Sequence, residues 1–340
     1  MAMLVRRALS TAYGGYMAMR NRRFDGGKGV LYTGIPVISV GNLSTGGTGK
    51  SPLVVEIARM LCDDGRHPVV VSRGYGRSSR GICVVHSGTA LLAPLHEAGD
   101  ELTMIARILS HCVIVAAEQR YEGIMRAIRL FNVDVAVIDD GFQHRRCARD
   151  CDIVIVDRST LNQPGLLPLG LLREPFTSLS RASLVCCTVD VREEEIRQYT
   201  DAPIIHVSTC VDGWLSLHSG MLTGVIPPKT ALLVCGIAHP ERVRRTCEEY
   251  HVNIEDACYF PDHHDYSEHD VREILSCASR NNCSSAITTE KDLVKLERFA
   301  AQFADHGVTL FAPRIRTVFD KPDVLRSALE KALLQHGGMK

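Results

Sequence analysis

Residues 46–51 read Gly-Gly-Thr-Gly-Lys-Ser; they follow the apolar run Pro36–Val40 and open an apolar-periodic stretch from Ser51 to Cys62. A strand, a glycine-rich loop and a helix in that order make a phosphate cradle, because glycines let successive backbone N–H groups turn toward an anion. Gly46, Gly47, Thr48 and Gly49 would form the cradle, Lys50 would reach the β and γ phosphates of ATP, and Ser51 would ligate Mg²⁺. The strict spacing G-x-x-x-x-G-K-[ST] is broken once, where Ser44 takes the first glycine position. The plain alternative is a mobile turn before a helix, and the flanking strand, Lys50 and Ser51 weigh against it.

A second apolar run, VDVAVIDDGFQH, delivers Asp139 and Asp140 at its end. Parallel sheets bind ligands at the carboxyl edge of their strands, which is where a metal-holding aspartate of a nucleotide site belongs. Read by themselves these are turn aspartates; beside a phosphate loop they become Mg²⁺ ligands. Taken alone, Gly99-Asp100-Glu101 is a helix start whose acids suit the helix dipole. The cluster Asp262, His263, His264, Asp265 and His269 reads either as a solvated loop or as a metal site. Arg73, Arg77 and Arg120 could fork onto phosphate or remain solvated surface charges.

Such residues need a scaffold. From about 35 to 205, β-branched runs (36–40, 68–72, 112–116, 134–138, 152–156 and 183–187) alternate with helical stretches (51–62, 101–110 and 121–131). Continuous apolar strands separated by helices predict a mostly parallel sheet covered on both faces. The expected fold class is α/β: a P-loop NTPase-like layered sheet domain with a second, smaller α/β domain, joined by a short hairpin linker. The boundaries are 1–28 for an N-terminal basic amphipathic segment, 29–206 for the first domain, 207–229 for the linker and 230–340 for the second domain. In the second block, strands are expected at 231–235, 253–258 and 285–288, and helices at 241–250 and 268–279. A last helix over 322–334 could pack on either block.

The 340 residues carry 39 basic and 39 acidic side chains, so no global field draws the chain to nucleic acid. Thirteen cysteines scattered through apolar runs, with no C-x-x-C pair, read as buried thiols of a reducing compartment rather than a disulfide framework. No apolar run approaches the roughly 20 residues that span a bilayer, and Arg6 and Arg7 interrupt any signal-peptide core.

Seven blocks together resemble one family, tetraacyldisaccharide 4'-kinase: ISVGNLSTGGTGKSP (38–52), SRGYGR (72–77), GDE (99–101), DDGFQH (139–144), LPLGLLREP (167–175), FPDHHDY (260–266) and TTEKD (288–292). They occur in family order. Leu102 after GDE and two positions in LPLGLLREP depart from the usual pattern, without loss of a charged group. The resemblance implies transfer of the ATP γ-phosphate to the 4'-hydroxyl of the lipid A disaccharide 1-phosphate, by a peripheral enzyme on the cytoplasmic side of the inner membrane. It also implies Asp100 as catalytic aspartate with His263 as its partner, Glu101 as a metal-side acid, and Glu174 near the nucleotide, with Arg173 less defined. A surface ion pair is the bland reading of Glu174 and Arg173.

The segment to residue 28 sets Arg6, Arg7, Arg20, Arg22, Arg23 and Lys28 against Asp25 and adds Met1, Met3, Leu4, Val5, Leu9, Tyr13, Tyr16, Met17 and Met19. Basic charge beside apolar side chains suits an anionic membrane surface, although Gly14-Gly15 should weaken a continuous helix. The alternative function is a P-loop nucleotide-dependent switch or assembly factor. A guanine-selective NKxD motif is missing and a second domain is present, which favours the kinase.

Overall fold

The computed structural model describes residues 2–46, 49–218, 221–225 and 227–337. Its helices are α1 (Ala2–Asp25), α2 (Lys50–Asp63), α3 (Leu95–Ala98), α4 (Asp100–Ile108), α5 (Arg120–Leu130), α6 (Arg158–Asn162), α7 (Glu193–Arg197), α8 (Pro240–Glu249), α9 (Glu268–Arg280), α10 (Glu290–Leu296), α11 (Ala300–Asp305) and α12 (Pro322–Gly337). The strands are β1 (Val37–Asn42), β2 (Pro68–Ser72), β3 (Cys83–Ser87), β4 (Val113–Ala116), β5 (Val135–Asp139), β6 (Cys151–Val156), β7 (Leu184–Thr188), β8 (Ile204–His218), β9 (Met221–Val225), β10 (Thr230–Cys235), β11 (Asn253–Tyr259), β12 (Ser285–Ile287) and β13 (Thr309–Phe319).

These strands form one sheet in the order β11-β10-β12-β13-β8-β7-β6-β1-β5-β2-β4-β3, with β9 paired to β8. The strand that feeds the glycine loop, β1, lies between β5 and β6 and is parallel to both. It is buried throughout, as a strand covered by helices on both faces must be. Val40 of β1 stands beside Asp139 of β5, so the loop and the aspartate pair leave the same sheet edge side by side.

Helix α2 covers β1 with Leu53, Val54, Ile57, Ala58 and Leu61, all buried, each large one worth roughly 1.5–3 kcal/mol of burial. The same core takes Ile105 of α4 and Leu325, Leu329 and Ala332 of α12. The last helix therefore packs on the first block, a choice that sequence left open.

The region read as a short linker is built from two strands of very different length. Strand β8 starts parallel to β7 at Ile204, continues antiparallel to β13 from Val207 to Leu217, and turns back into β9 as a hairpin. Neither β13 nor the antiparallel edge strand β3 is foreseen by the sequence reading. Strand β13 alternates exposed Arg314 with buried Ala312 and Thr317, and its charges masked the pattern. Ion pairs brace the blocks against each other: Arg316 of β13 reaches Glu56 of α2 at 3.0 Å, and Arg107 of α4 meets Glu297.

Helix α1 runs unbroken through Gly14-Gly15, against expectation. Packing supplies the reason, because a Cβ on Gly14 would come within 2.9 Å of Leu166 Cδ1. Beside it, Ser10 Oγ donates to the Leu166 carbonyl at 2.9 Å.

Candidate active site

The glycine loop follows β1 and ends at Gly49, whose left-handed φ of 81° opens α2; that conformation favours glycine over any residue with a Cβ. Gly47 and Thr48 lie outside the described residues. Ser44 has no positive φ, so glycine is not required there. Its hydroxyl sits 2.8 Å from Thr160 Oγ1 in a buried contact that ties the loop's base to α6.

Lys50 and Ser51 begin α2 and face different acids. Lys50 Nζ lies 3.6 Å from Asp140 Oδ1, and Ser51 Oγ donates to Glu101 Oε1. Asp140 also receives both arms of Arg173, at 2.7 and 2.8 Å. Burial alone would push its carboxyl up; the Arg173 hydrogen bonds and charge, with Lys50 and Arg120, outweigh that and hold it well below the usual range.

Asp139 is the contrasting member of the pair. Ser72 donates to its Oδ2 at 2.7 Å, while its Oδ1 is buried without a hydrogen-bond partner among the described residues. Burial, then the nearby Glu101 carboxylate and Asp140, push it up to about 6. A crowded carboxylate with an orphaned oxygen, next to a serine hydroxyl and a glutamate, is the hard-oxygen donor set that suits Mg²⁺. Asp139, Glu101 and Ser51 fit that ion, and Asp140 already has two cations as partners.

Asp100 is the first residue of α4, and its Oδ1 accepts from the Glu101 N–H at 2.8 Å, so it does help to cap its helix. Its other oxygen has a different use. His263, from the second block, places Nδ1 3.1 Å from Asp100 Oδ2. Lys291 Nζ lies 3.1 Å from His263 Nε2, and Lys291 and Lys295 each stand 3.8 Å from Asp100 Oδ2. An ammonium only donates, so Nε2 is the acceptor and Nδ1 carries the proton that bonds Asp100. Tyr75 packs its ring 4.9 Å from the imidazole.

Both lysines escaped the sequence reading. They lie four apart, on one face of α10, and that spacing, together with the TTEKD block that holds Lys291, is the signal that could have found them. Asp140 (φ 51°) and His263 (φ 60°) also share left-handed backbone, held by the surrounding structure where a non-glycine residue pays strain.

The other charged candidates divide. Arg120 is buried, donates to the Ala117 carbonyl at 2.8 Å and to the Asp139 carbonyl at 3.3 and 3.4 Å, and so clamps backbone. Arg77 pairs with Glu118 at 2.6 Å, and Arg73 is exposed. Gln143 donates to the Asn42 carbonyl at 3.0 Å. Burial and then the Arg120 charge pull His144 down to about 4, so it is neutral at physiological pH. Glu174 is fully buried, 2.9 Å from Arg181 and accepting from Asn21 of α1 at 2.7 Å; none of these partners belongs to the glycine loop. Of the histidine cluster, only His263 turns to Asp100. His264 pairs with Asp270 at 3.0 Å and Asp265 with Arg298 at 2.7 Å.

Comparisons with known proteins identify the family that the chain resembles. The profile of the family described as tetraacyldisaccharide-1-P 4'-kinase (LpxK) matches residues 2–334. The chain is similar to the tetraacyldisaccharide 4'-kinase of Chlorobaculum parvum, 36% identical over 302 residues that span 85% of this chain and 83% of the relative. It is likewise similar to the enzyme of that name from Anaeromyxobacter sp., 36% identical over 335 residues, 93% and 86% of the two chains. Among solved structures, LpxK from Aquifex aeolicus in complex with ATP superposes with a TM-score of 0.80 at 28% identity, covering 98% of this chain and all of that one. With a profile match across nearly its whole length, the chain belongs to the tetraacyldisaccharide-1-P 4'-kinase family.

Proposed function

We propose that this enzyme transfers the γ-phosphate of ATP to the 4'-hydroxyl of a tetraacyldisaccharide 1-phosphate, in lipid A biosynthesis. The observation that carries the reading is the meeting of Asp100 and His263, from opposite blocks, beside the start of the phosphate-loop helix. Asp100 accepts the proton of the attacking hydroxyl as the new P–O bond forms. His263 holds the Asp100 carboxylate through Nδ1–H, while Lys291 fixes the imidazole from its far side and Lys295 adds positive charge. Lys50 and the loop amides position the phosphates, which is most of what phosphoryl transfer through a loose transition state requires. Mg²⁺ held by Ser51, Asp139 and Glu101 would supply charge neutralisation at the phosphate oxygens. Arg173 keeps Asp140 ionised and oriented beside Lys50.

The acceptor is a lipid, and α1 fits a surface role. Met3, Leu4, Val5, Leu9, Tyr16 and Met19 are exposed on it, as are Arg6, Arg7, Arg22 and Arg23. No helix among the described residues is long and apolar enough to cross a membrane. That composition supports peripheral attachment to an anionic membrane surface through the first half of α1, and the family resemblance implies that this surface is the cytoplasmic face of the inner membrane. The second half of α1 docks on the site's edge, where Tyr13 donates to the Arg173 carbonyl at 2.9 Å and Arg20 to that of Gln143 at 2.5 Å.

Incubation with γ-labelled ATP and the disaccharide lipid tests the reaction. Label in the lipid is expected; ADP with unlabelled lipid would instead identify a nucleotide-dependent switch.

A further inference from the structure

All thirteen cysteines are free thiols, and most are sequestered; burial pushes Cys147, Cys151 and Cys187 up to about 12. Cys62 and Cys112 differ in geometry. Their sulfurs lie 3.2 Å apart, within roughly an ångström of the ~2.05 Å disulfide bond length. Cys62 is in the last turn of α2 and partly exposed, while Cys112 is buried in the short segment between α4 and β4. Either sulfur can donate across this contact, which lowers the Cys62 thiol below its ordinary value despite burial; the same contact and burial raise Cys112. The accessible sulfur is thus the one favoured as thiolate, and the resolving thiol waits behind it.

The location gives the pair a mechanical meaning. The two helices present Lys50 and Ser51, and Asp100 and Glu101, at their N-terminal ends, where Ser51 already contacts Glu101. A bond between Cys62 and Cys112 would tie the opposite ends.

We propose that Cys62 and Cys112 form an oxidation site, closing to a disulfide when a hydroperoxide reaches Cys62. The Cys62 thiolate attacks the peroxide, breaking the O–O bond and forming a sulfenic acid, and the departing hydroxide takes up a proton to become water. Cys112 sulfur then attacks the Cys62 sulfur, the S–O bond breaks, and the Cys112 proton leaves with the hydroxyl as a second water. Two thiols lose two electrons in all, and a dithiol reverses the step.

The test exposes the reduced full-length protein to hydrogen peroxide, alkylates remaining thiols and maps peptides without reduction. A linked Cys62–Cys112 peptide, lighter than its two reduced parts by two hydrogens and cleaved by dithiothreitol, is expected. The melting temperature of the oxidised form should rise by on the order of 5 °C, because the bond closes a loop of about 50 residues in the unfolded chain. Cys62→Ser should abolish both the link and the rise. Cys112→Ala should leave a Cys62 sulfenic acid that dimedone traps; if that core variant fails to fold, the wild type and Cys62→Ser still decide. Alkylation of Cys112 after Cys62 has been oxidised to sulfinic acid, or a disulfide formed in preference between other cysteines, would overturn the assignment.

Discussion

Replacing Asp139 by asparagine should make the protein more stable at alkaline pH while removing most turnover. The wild-type carboxyl is pushed from 3.8 up to about 6 by burial, with Glu101 and Asp140 adding repulsion. The folded state therefore binds this proton more tightly than the unfolded state does. Its stabilising contribution is complete below about pH 4 and is lost as pH rises through 6. A shift of that size corresponds to about 3 kcal/mol at about 1.36 kcal/mol per unit, absent from the ionised wild type at pH 8. Asparagine keeps the oxygen that accepts from Ser72 and carries no charge, so it escapes the penalty. For 340 residues the gain amounts to about 4 °C in melting temperature. Urea unfolding from pH 4 to 8 should show Asp139→Asn ahead at pH 8 and the gap roughly halved at pH 5. An asparagine variant that is less stable at pH 8, or a gap that does not change with pH, would refute the reasoning.

Lys50→Ala should melt within a few degrees of wild type yet lose most turnover, since its Asp140 contact is one of several that hold that carboxylate; full activity in the folded variant would remove the loop from the nucleotide site. Asp100→Ala and His263→Ala should each lower kcat by about 10² to 10⁴, and the double variant should be scarcely worse than either. Multiplicative losses would mean that the two residues work independently. Lys291→Met should lower kcat by about 10-fold or more with the ATP KM within about twofold; an unchanged kcat would reduce the lysine to a surface contact of the dyad. Replacing Leu4, Val5 and Leu9, all exposed, by asparagine should release the protein from anionic vesicles without changing its melting temperature, and undiminished co-sedimentation would place the membrane contact elsewhere.

The sequence alone carried the parallel first block, because short β-branched runs separated by helical stretches favour strands buried on both faces. It also carried Lys50, Ser51 and Asp139, because glycine loops and strand-end aspartates act through neighbours only a few residues away or on an adjoining strand. The resemblance named Asp100 and His263, but local pattern could not join residues 163 positions apart. That contact exists because β8 and β13 carry one sheet through both blocks and bring the loop holding His263 against α4. Tertiary structure likewise gave Asp139 and Asp140 different surroundings, since Arg173 reaches Asp140, while an oxygen of Asp139 is left unpartnered among the described residues. Two adjacent aspartates look alike in a sequence; their protonation depends on burial and on charges delivered from distant segments, which only the folded chain brings together.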